Sequence, residues 1–180
     1  MTKNYEQILT QNETLHTPRL TLRKFTKADV QDVFEYASDP EVPKYMTWDA
    51  HKTLKESEEV IDWHMNTQGM WAIEFESKLV GSIGISLKPE HEKASFGYAL
   101  NRKFWGKGFM TEALSAVLRL CFEKLELNRV EATHFTENPA SGKVMQKCGM
   151  KIEGMTTRNR KFKGIFHDEV HYAILKEDFI

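Results

Sequence analysis

A helical pattern over about residues 109–123, running from Phe109 to Glu123, is apolar almost all round. Its polar stripe is only Glu112, Ser115, Arg119 and Glu123, at helical spacing. A helix with so narrow a wet face must be covered on most sides, as one packed across a sheet is. Directly before it stands Trp105-Gly106-Lys107-Gly108, and before that a strand-like Phe96-Gly97-Tyr98-Ala99-Leu100. Strand, glycine loop, helix is the layout of a phosphate cradle. Backbone N–H groups and the positive end of the helix dipole can converge there on one anion. Gly106 and Gly108 could equally be an ordinary entry into a core helix.

Two nucleotide signatures fail on spacing. Gly106 and Gly108 lie too close for G-x-x-x-x-G-K-[ST], and neither Lys-Ser nor Lys-Thr follows. G-x-G-x-x-G would need glycine where Thr111 stands. With 180 residues the chain is expected to form a single domain, 1–180, with a real core. A net charge of −1 gives no reason to expect nucleic acid or a membrane surface as partner. No apolar run approaches a membrane span and Met1–Glu6 lacks a signal-peptide core, so the expected location is cytoplasmic. Cys121 and Cys148 sit in apolar helical patterns and read as reduced buried thiols, and the scattered histidines offer no metal-site spacing.

Residues 1–16 read as a loosely ordered arm or short helix. Leu20 and Leu22 alternate with Arg19, Thr21 and Arg23 in a first strand. Thr26 and Asp29 form a capping-box pattern ahead of a helix carrying Val30, Val33, Phe34 and Ala37, which Pro40 and Pro43 end. A second helix is expected over about 54–67. Trp71, Ile73 and Phe75, a turn at Ser77-Lys78, and Leu79 to Leu87 form a hairpin. A strand over 94–100, the glycine loop and the long helix follow. Val130, Ala132 and His134 then mark another strand, 139–147 a short helix ending at Gly149, and 150–158 with 166–175 two last strands. The loop between those two is rich in Arg158, Arg160, Lys161 and Lys163. The order predicts a mixed α/β (α+β) domain with helices on both faces of one sheet.

This order and several motifs resemble the GNAT superfamily of acyl-CoA N-acyltransferases. Within it they resemble the RimJ/RimL group of ribosomal-protein N-terminal acetyltransferases. The motifs are Thr17-Pro18-Arg19-Leu20-Thr21-Leu22-Arg23, Gly97-Tyr98-Ala99-Leu100, Gly106 to Ala113, Glu137-Asn138-Pro139-Ala140-Ser141, and Gly149-Met150 with Glu153-Gly154, spread over about residues 17–178. The resemblance implies a mostly antiparallel sheet whose middle strands splay to admit acetyl-CoA. It implies that main-chain groups of Trp105, Gly106, Lys107, Gly108, Phe109, Met110 and Thr111 bind the coenzyme A diphosphate. Trp105 and Met110 depart from the family pattern Q/R-x-x-G-x-G/A. Tyr98 and Leu100 are expected to hydrogen-bond the pantetheine arm, with a Leu100 N–H polarising the thioester carbonyl.

In the same resemblance Asn138 faces the pantetheine and Ser141 protonates the leaving thiolate, because Met145 stands where many relatives carry a tyrosine. Read alone, Asn138 is an ordinary N-cap with Pro139 behind it. Relatives often carry a glutamate base where this chain has Ser95; the remaining base candidates are Glu74, Glu131, His134 and Glu153. The basic run 158–163 could meet the coenzyme A 3′-phosphate or an acidic substrate, or be a solvated tip. Trp48, His51, Trp63 and His64 fall where the family lines its acceptor site, or in the core.

The implied reaction is acetyl transfer from acetyl-CoA to a primary amine, with a protein N-terminus as the first expected acceptor. A small amine (polyamine, amino acid or aminoglycoside) is the second, and a silent acyl-CoA binder a third reading. An open groove would favour a peptide and a closed acidic pocket a small cation. Related domains often pair, which puts a homodimer among the expected states.

Overall fold

The structure is a computed structural model that describes residues 3–179. One eight-stranded sheet organises it, in the order β1-β2-β3-β4-β5-β6-β8-β7. The strands are β1 (Leu15–His16), β2 (Thr21–Arg23), β3 (Met70–Phe75), β4 (Lys78–Lys88), β5 (Lys93–Leu100), β6 (Arg129–Phe135), β7 (Lys151–Phe162) and β8 (Ile165–Leu175). Every neighbouring pair is antiparallel except β5–β6, which is parallel. The helices are α1 (Tyr5–Gln11), α2 (Val30–Ala37), α3 (Leu54–Met65), α4 (Phe109–Arg119) and α5 (Pro139–Lys147).

Alternation along the strands divides the apolar residues between two faces. Leu22, Trp71, Ile73, Ile83, Ala94, Val130, Tyr172 and Ile174 join Leu114, Val117 and Leu118 of α4 in the larger core. Ala72, Leu79 and Ala99 point the other way, against Val33, Tyr36 and Ala37 of α2 and Ile61 of α3. The second layer covers only the β2–β5 side. Among the described residues β6, β8 and β7 carry no helix on that same face, and every β7 residue from Lys151 to Lys161 is exposed.

The boundaries follow local chemistry. The Asp29 carboxylate accepts the Thr26 N–H at 2.7 Å, as the capping pattern requires, and is gripped by both Nη atoms of Arg23 at 2.8 and 2.9 Å. The β3–β4 turn falls on Glu76 and Ser77, with φ of 49° and 62°, one residue earlier than expected. The long helix departs from the expected 109–123. It is α-helical to Arg119 and then widens into a π turn, Leu120–Lys124, in which the Leu125 N–H reaches the Leu120 carbonyl at 3.0 Å. The segment expected as a loose arm or short helix forms α1, with Leu9 in the core, and β1 on the sheet edge. The basic run is not a loop: β7 extends to Phe162 and the turn is Lys163-Gly164.

His64 of α3 stacks on Phe25 with ring centroids 4.5 Å apart, and its Nδ1 is buried without a hydrogen-bond partner. Burial lowers its pKa to about 4. An unfolded histidine titrates near 6.5, so the folded state is penalised as pH falls from there toward 4. At about pH 5 the penalty is ~1–2 kcal/mol. Urea unfolding near pH 7.5 and near pH 5 should therefore show His64→Leu losing less stability on acidification than the parent chain. Equal losses in the two proteins would contradict the assignment.

Candidate active site

The sheet comes apart at its single parallel pair. β5 and β6 pair only over Lys93–Ser95 with Arg129–Glu131; beyond Ser95 they diverge. On its other side β5 stays paired with β4 through to Leu100. The Asn101 N–H donates to the Val80 carbonyl at 2.8 Å, which fixes the alternation of that ladder. Ala99 and Gly97 therefore bond β4, while the N–H groups of Leu100 and Tyr98 and the Tyr98 carbonyl point into the wedge, where no strand meets them. A half-buried strand edge with unspent donors and acceptors is an unfilled ladder position. It fits an extended chain bearing amides, as the pantetheine arm does. The Leu100 carbonyl differs, because the Trp105 indole Nε1 donates to it at 2.7 Å.

Past the wedge the chain makes a 3₁₀ turn, Arg102–Phe104, and enters the glycine loop. Gly106 and Gly108 have φ of 74° and 79°, in the left-handed region where a side chain would be strained. A Cβ on Gly106 would meet nothing within 4 Å, so this turn is open to an approaching ligand. None of the amides from Gly106 to Thr111 donates to a protein acceptor among the described residues. Six unspent N–H groups therefore stand around the first turn of α4, an arrangement that can receive an anion. Trp105 is a correction to the expected set: its amide is already spent on the Arg102 carbonyl at 3.1 Å. Its indole instead ties the loop to the end of β5. Met110 does not crowd the turn, since it lies in the core at the base of α4.

One clamp holds the loop. Glu112 accepts from Thr17 Oγ1 at 2.6 Å, Arg19 N–H at 2.8 Å and Arg19 Nε at 2.7 Å. The same guanidinium donates from Nη1 to the Lys107 carbonyl at 3.0 Å and lies 4.6 Å from the centroid of the Phe109 ring. Partial burial pushes the Glu112 carboxyl up, but the hydrogen bonds from Thr17 and Arg19 outweigh it and hold it below the usual range. The carboxylate therefore stays charged where it anchors Arg19.

α5 borders the wedge on the α4 side of the sheet. The Tyr98 hydroxyl shares a hydrogen bond with Ser141 Oγ at 2.9 Å. Burial raises the Tyr98 phenol to about 12, with the Ser141 contact opposing, so it is a neutral O–H at neutral pH. The Asn138 side chain makes no capping bond, unlike an ordinary N-cap, and lines the cavity. Met145 is buried. α5 approaches the sheet closely because of Gly142, where a Cβ would stand 2.6 Å from His134 Nε2 and 3.1 Å from the Tyr172 hydroxyl.

A cavity of about 140 Å³ occupies the wedge. Phe96 to Tyr98 and Ala132 to Phe135 form its walls, with Asn138, Ser141 and Met145 at one end. Tyr45, Met46, Thr47, Arg160 and Glu169 stand at the other. Of the four base candidates only His134 lines it, with Nδ1 2.7 Å from the Phe135 carbonyl. Glu74 is paired with Arg23. Glu131, raised by burial but lowered more by Lys93 and Arg129, ends below the usual carboxylate range, as does Glu153 under Arg129. A base needs the opposite shift. Trp48, His51 and Trp63 line a separate shallow depression on α3, and His64 is on Phe25. Not these four residues but Tyr45 to Thr47 line the wedge cavity. Sequence reasoning missed those residues and Glu169, which carry no motif; the clamp partners Thr17, Arg19 and Glu112 lay inside quoted motifs without a role.

Residues 19–151 match the family model described as an acetyltransferase (GNAT) domain. An N-acetyltransferase of Bacillus licheniformis named p20, itself uncharacterised, is 32% identical over 175 residues, covering 93% of this chain and 98% of its own. A solved GNAT-family acetyltransferase from Bacillus anthracis superposes with a TM-score of 0.86 at 31% identity, over 91% of this chain and 99% of that one. The [ribosomal protein uS5]-alanine N-acetyltransferase of Escherichia coli is more distant, 26% identical over 106 residues, 58% of this chain and 55% of its own. With its splayed strands, glycine loop and these relatives, the chain belongs to the GNAT family, as an acetyl-CoA-dependent N-acetyltransferase.

Proposed function

We propose that the acceptor is the α-amine of a protein N-terminus. The observation that carries this is the character of the cavity's outer end. Its one carboxylate, Glu169, is paired with Arg160 at 3.0 Å, and the sheet face beyond it, on β6, β8 and β7, has no helix over it. A polyamine would need unpaired acids in an enclosed site; an extended peptide needs an open groove. The distant likeness to a ribosomal-protein acetyltransferase supports the same choice.

In this reading the amides of Gly106 to Thr111 hold the diphosphate of acetyl-CoA, and Tyr98 and Leu100 pair with its pantetheine amides. Asn138 supplies a further polar contact to that arm. The Leu100 N–H faces the thioester oxygen and stabilises charge that develops there. The neutral amine enters from the Tyr45–Thr47 side, and its nitrogen bonds the acetyl carbon as the carbon–sulfur bond breaks. Ser141 gives its proton to the departing sulfur and is resupplied through Tyr98; the amine's surplus proton leaves to water. Positioning supplies most of the acceleration.

Thiol release should appear with N-terminal peptides and be weaker with polyamines, free amino acids and aminoglycosides. Calorimetric binding of coenzyme A with no thiol release from any amine would leave a silent binder, and a zero heat of binding would remove the cradle itself. Ser141→Ala is expected to lower kcat by roughly 10²-fold with the KM for acetyl-CoA little changed, the size of a lost proton donor. Glu112→Ala should weaken coenzyme A binding about tenfold, or ~1.4 kcal/mol, with a smaller loss of stability of about 1 kcal/mol, because Arg19 is nearly half exposed and can regain water while the more covered Glu112 cannot. Unchanged affinity would show that the loop holds its shape without the clamp.

A further inference from the structure

The outer end of the cavity holds a built cation that acetyl transfer itself does not use. Glu169 is 2% exposed although it is a carboxylate on a strand facing the cavity. Thr133 Oγ1 donates to it at 3.1 Å, Asn159 Nδ2 donates to its other oxygen, and Arg160 Nε lies at 3.0 Å. A buried carboxylate is retained only when it is paired and hydrogen-bonded. Here the pairing sets the position of a guanidinium. The Arg160 side chain is half-exposed and lines the cavity, and among the described residues neither of its Nη atoms donates to protein. Those two donors are unspent at the place where an acceptor would enter.

The backbone is shaped to put it there. β7 and β8 are in register at Thr156↔Glu169 and again at Arg160↔His167, so three β7 residues oppose Asp168 alone. Arg158 takes φ of 49° within this bulge, and its N–H is held by Asp168 Oδ1 at 2.7 Å. Bulges of this kind re-aim side chains, and this one turns Asn159 and Arg160 onto Glu169. Beyond it the hairpin tip is tied to the segment next to the cavity: Lys163 pairs with Asp49 at 3.0 Å, beside Tyr45–Thr47, and neither residue lines the cavity. Arg158, Arg160, Lys161 and Lys163 stand with Asp49, Glu137, Asp168 and Glu169 around this hairpin, so a preference for acidic acceptors would come from the placement of Arg160 and not from a net local charge.

We propose that Arg160, oriented by Glu169, receives a carboxylate of the acceptor, so that the enzyme selects N-terminal peptides with Asp or Glu at the first or second position. This rests on the reading that the amine enters from this face. Arg160 is then a specificity residue and Glu169 a positioning residue behind it. A planar guanidinium suits a carboxylate through two parallel N–H donors.

The test is calorimetry on the coenzyme A-bound protein with three peptides that begin Ser-Glu, Ser-Gln and Ser-Lys and are otherwise identical, alongside thiol-release kinetics with the same set. Ser-Glu is expected to bind roughly tenfold tighter than Ser-Gln. That advantage should vanish in Arg160→Gln, whose amide can still donate to Glu169, and pass to Ser-Lys in the double variant Arg160→Glu with Glu169→Gln, which sets no second carboxylate against the buried one; the parent protein's preference for Ser-Glu over Ser-Gln is read without either variant. Glu169→Gln should raise KM for Ser-Glu without a matching fall in kcat, and Glu169→Asp should restore part of it. Equal affinities in the parent protein, no binding of any peptide, or an advantage that survives Arg160→Gln would each overturn the proposal. Thiol release from every peptide at equal KM would overturn it while keeping acetyl transfer to N-termini. Arg160-dependent binding with no thiol release would do the reverse.

Discussion

Three residue pairs of parallel ladder, Lys93–Ser95 against Arg129–Glu131, decide the architecture of this molecule. Had β5 and β6 continued together, the sheet would have been closed and the amides of Tyr98 and Leu100 spent. They part because each is committed elsewhere. β5 follows β4 over its full length, and β6 follows β8 from Arg129 to Phe135. Two well-paired antiparallel halves therefore diverge from a short shared base. The opening is a consequence of strong pairing on either side, and it leaves a row of backbone polar groups that a bound chain can satisfy.

The surrounding elements grip the two sides of that opening. α4 fixes the cradle at one end, with its Leu114, Val117 and Leu118 side fully buried. α5 sits against β6 and β8 at a distance set by Gly142, which brings Ser141 within a hydrogen bond of Tyr98. The charged groups near the site are paired to partners that orient them: Arg19 by Glu112, Arg160 by Glu169, Arg129 by Glu131 and Glu153. Where both partners reach solvent, as Arg129 and Glu153 do, Coulomb attraction contributes little stability. Its larger effect here is on direction, because a tethered guanidinium samples few positions.

Much of this was legible from residue order alone. The alternation of Trp71, Ile73 and Phe75, the apolar stripe of α4 and the Thr26–Asp29 cap are local patterns, and local patterns survive folding. The cradle was legible because glycines at positive φ leave a mark in the sequence. What stayed hidden depends on distant pairing. That Trp105 caps the Leu100 carbonyl, or that Arg19 reaches Lys107, follows from loop geometry no window of sequence contains. The basic run over residues 158–163 reads as a loop by composition, yet pairing with β8 draws it into a strand. Glu169 gave no signal, since a glutamate in an alternating strand looks solvent-facing until β6 and β7 close over it. The family resemblance supplied expected roles for Asn138 and Ser141, which line the cavity, whereas Trp48, His51, Trp63 and His64 do not line it.

The Arg19–Glu112 contact joins residues 93 positions apart, one in the connection between β1 and β2 and one in the helix behind the glycine loop. During synthesis this clamp cannot close on the loop until well over half the polypeptide has emerged and its opening segment has returned to dock. Capture of coenzyme A thus reports on completed assembly of both ends of the chain. By mass action the nucleotide in turn favours the finished molecule over partly built forms, so a cell rich in the carrier holds more of the polypeptide in its working state.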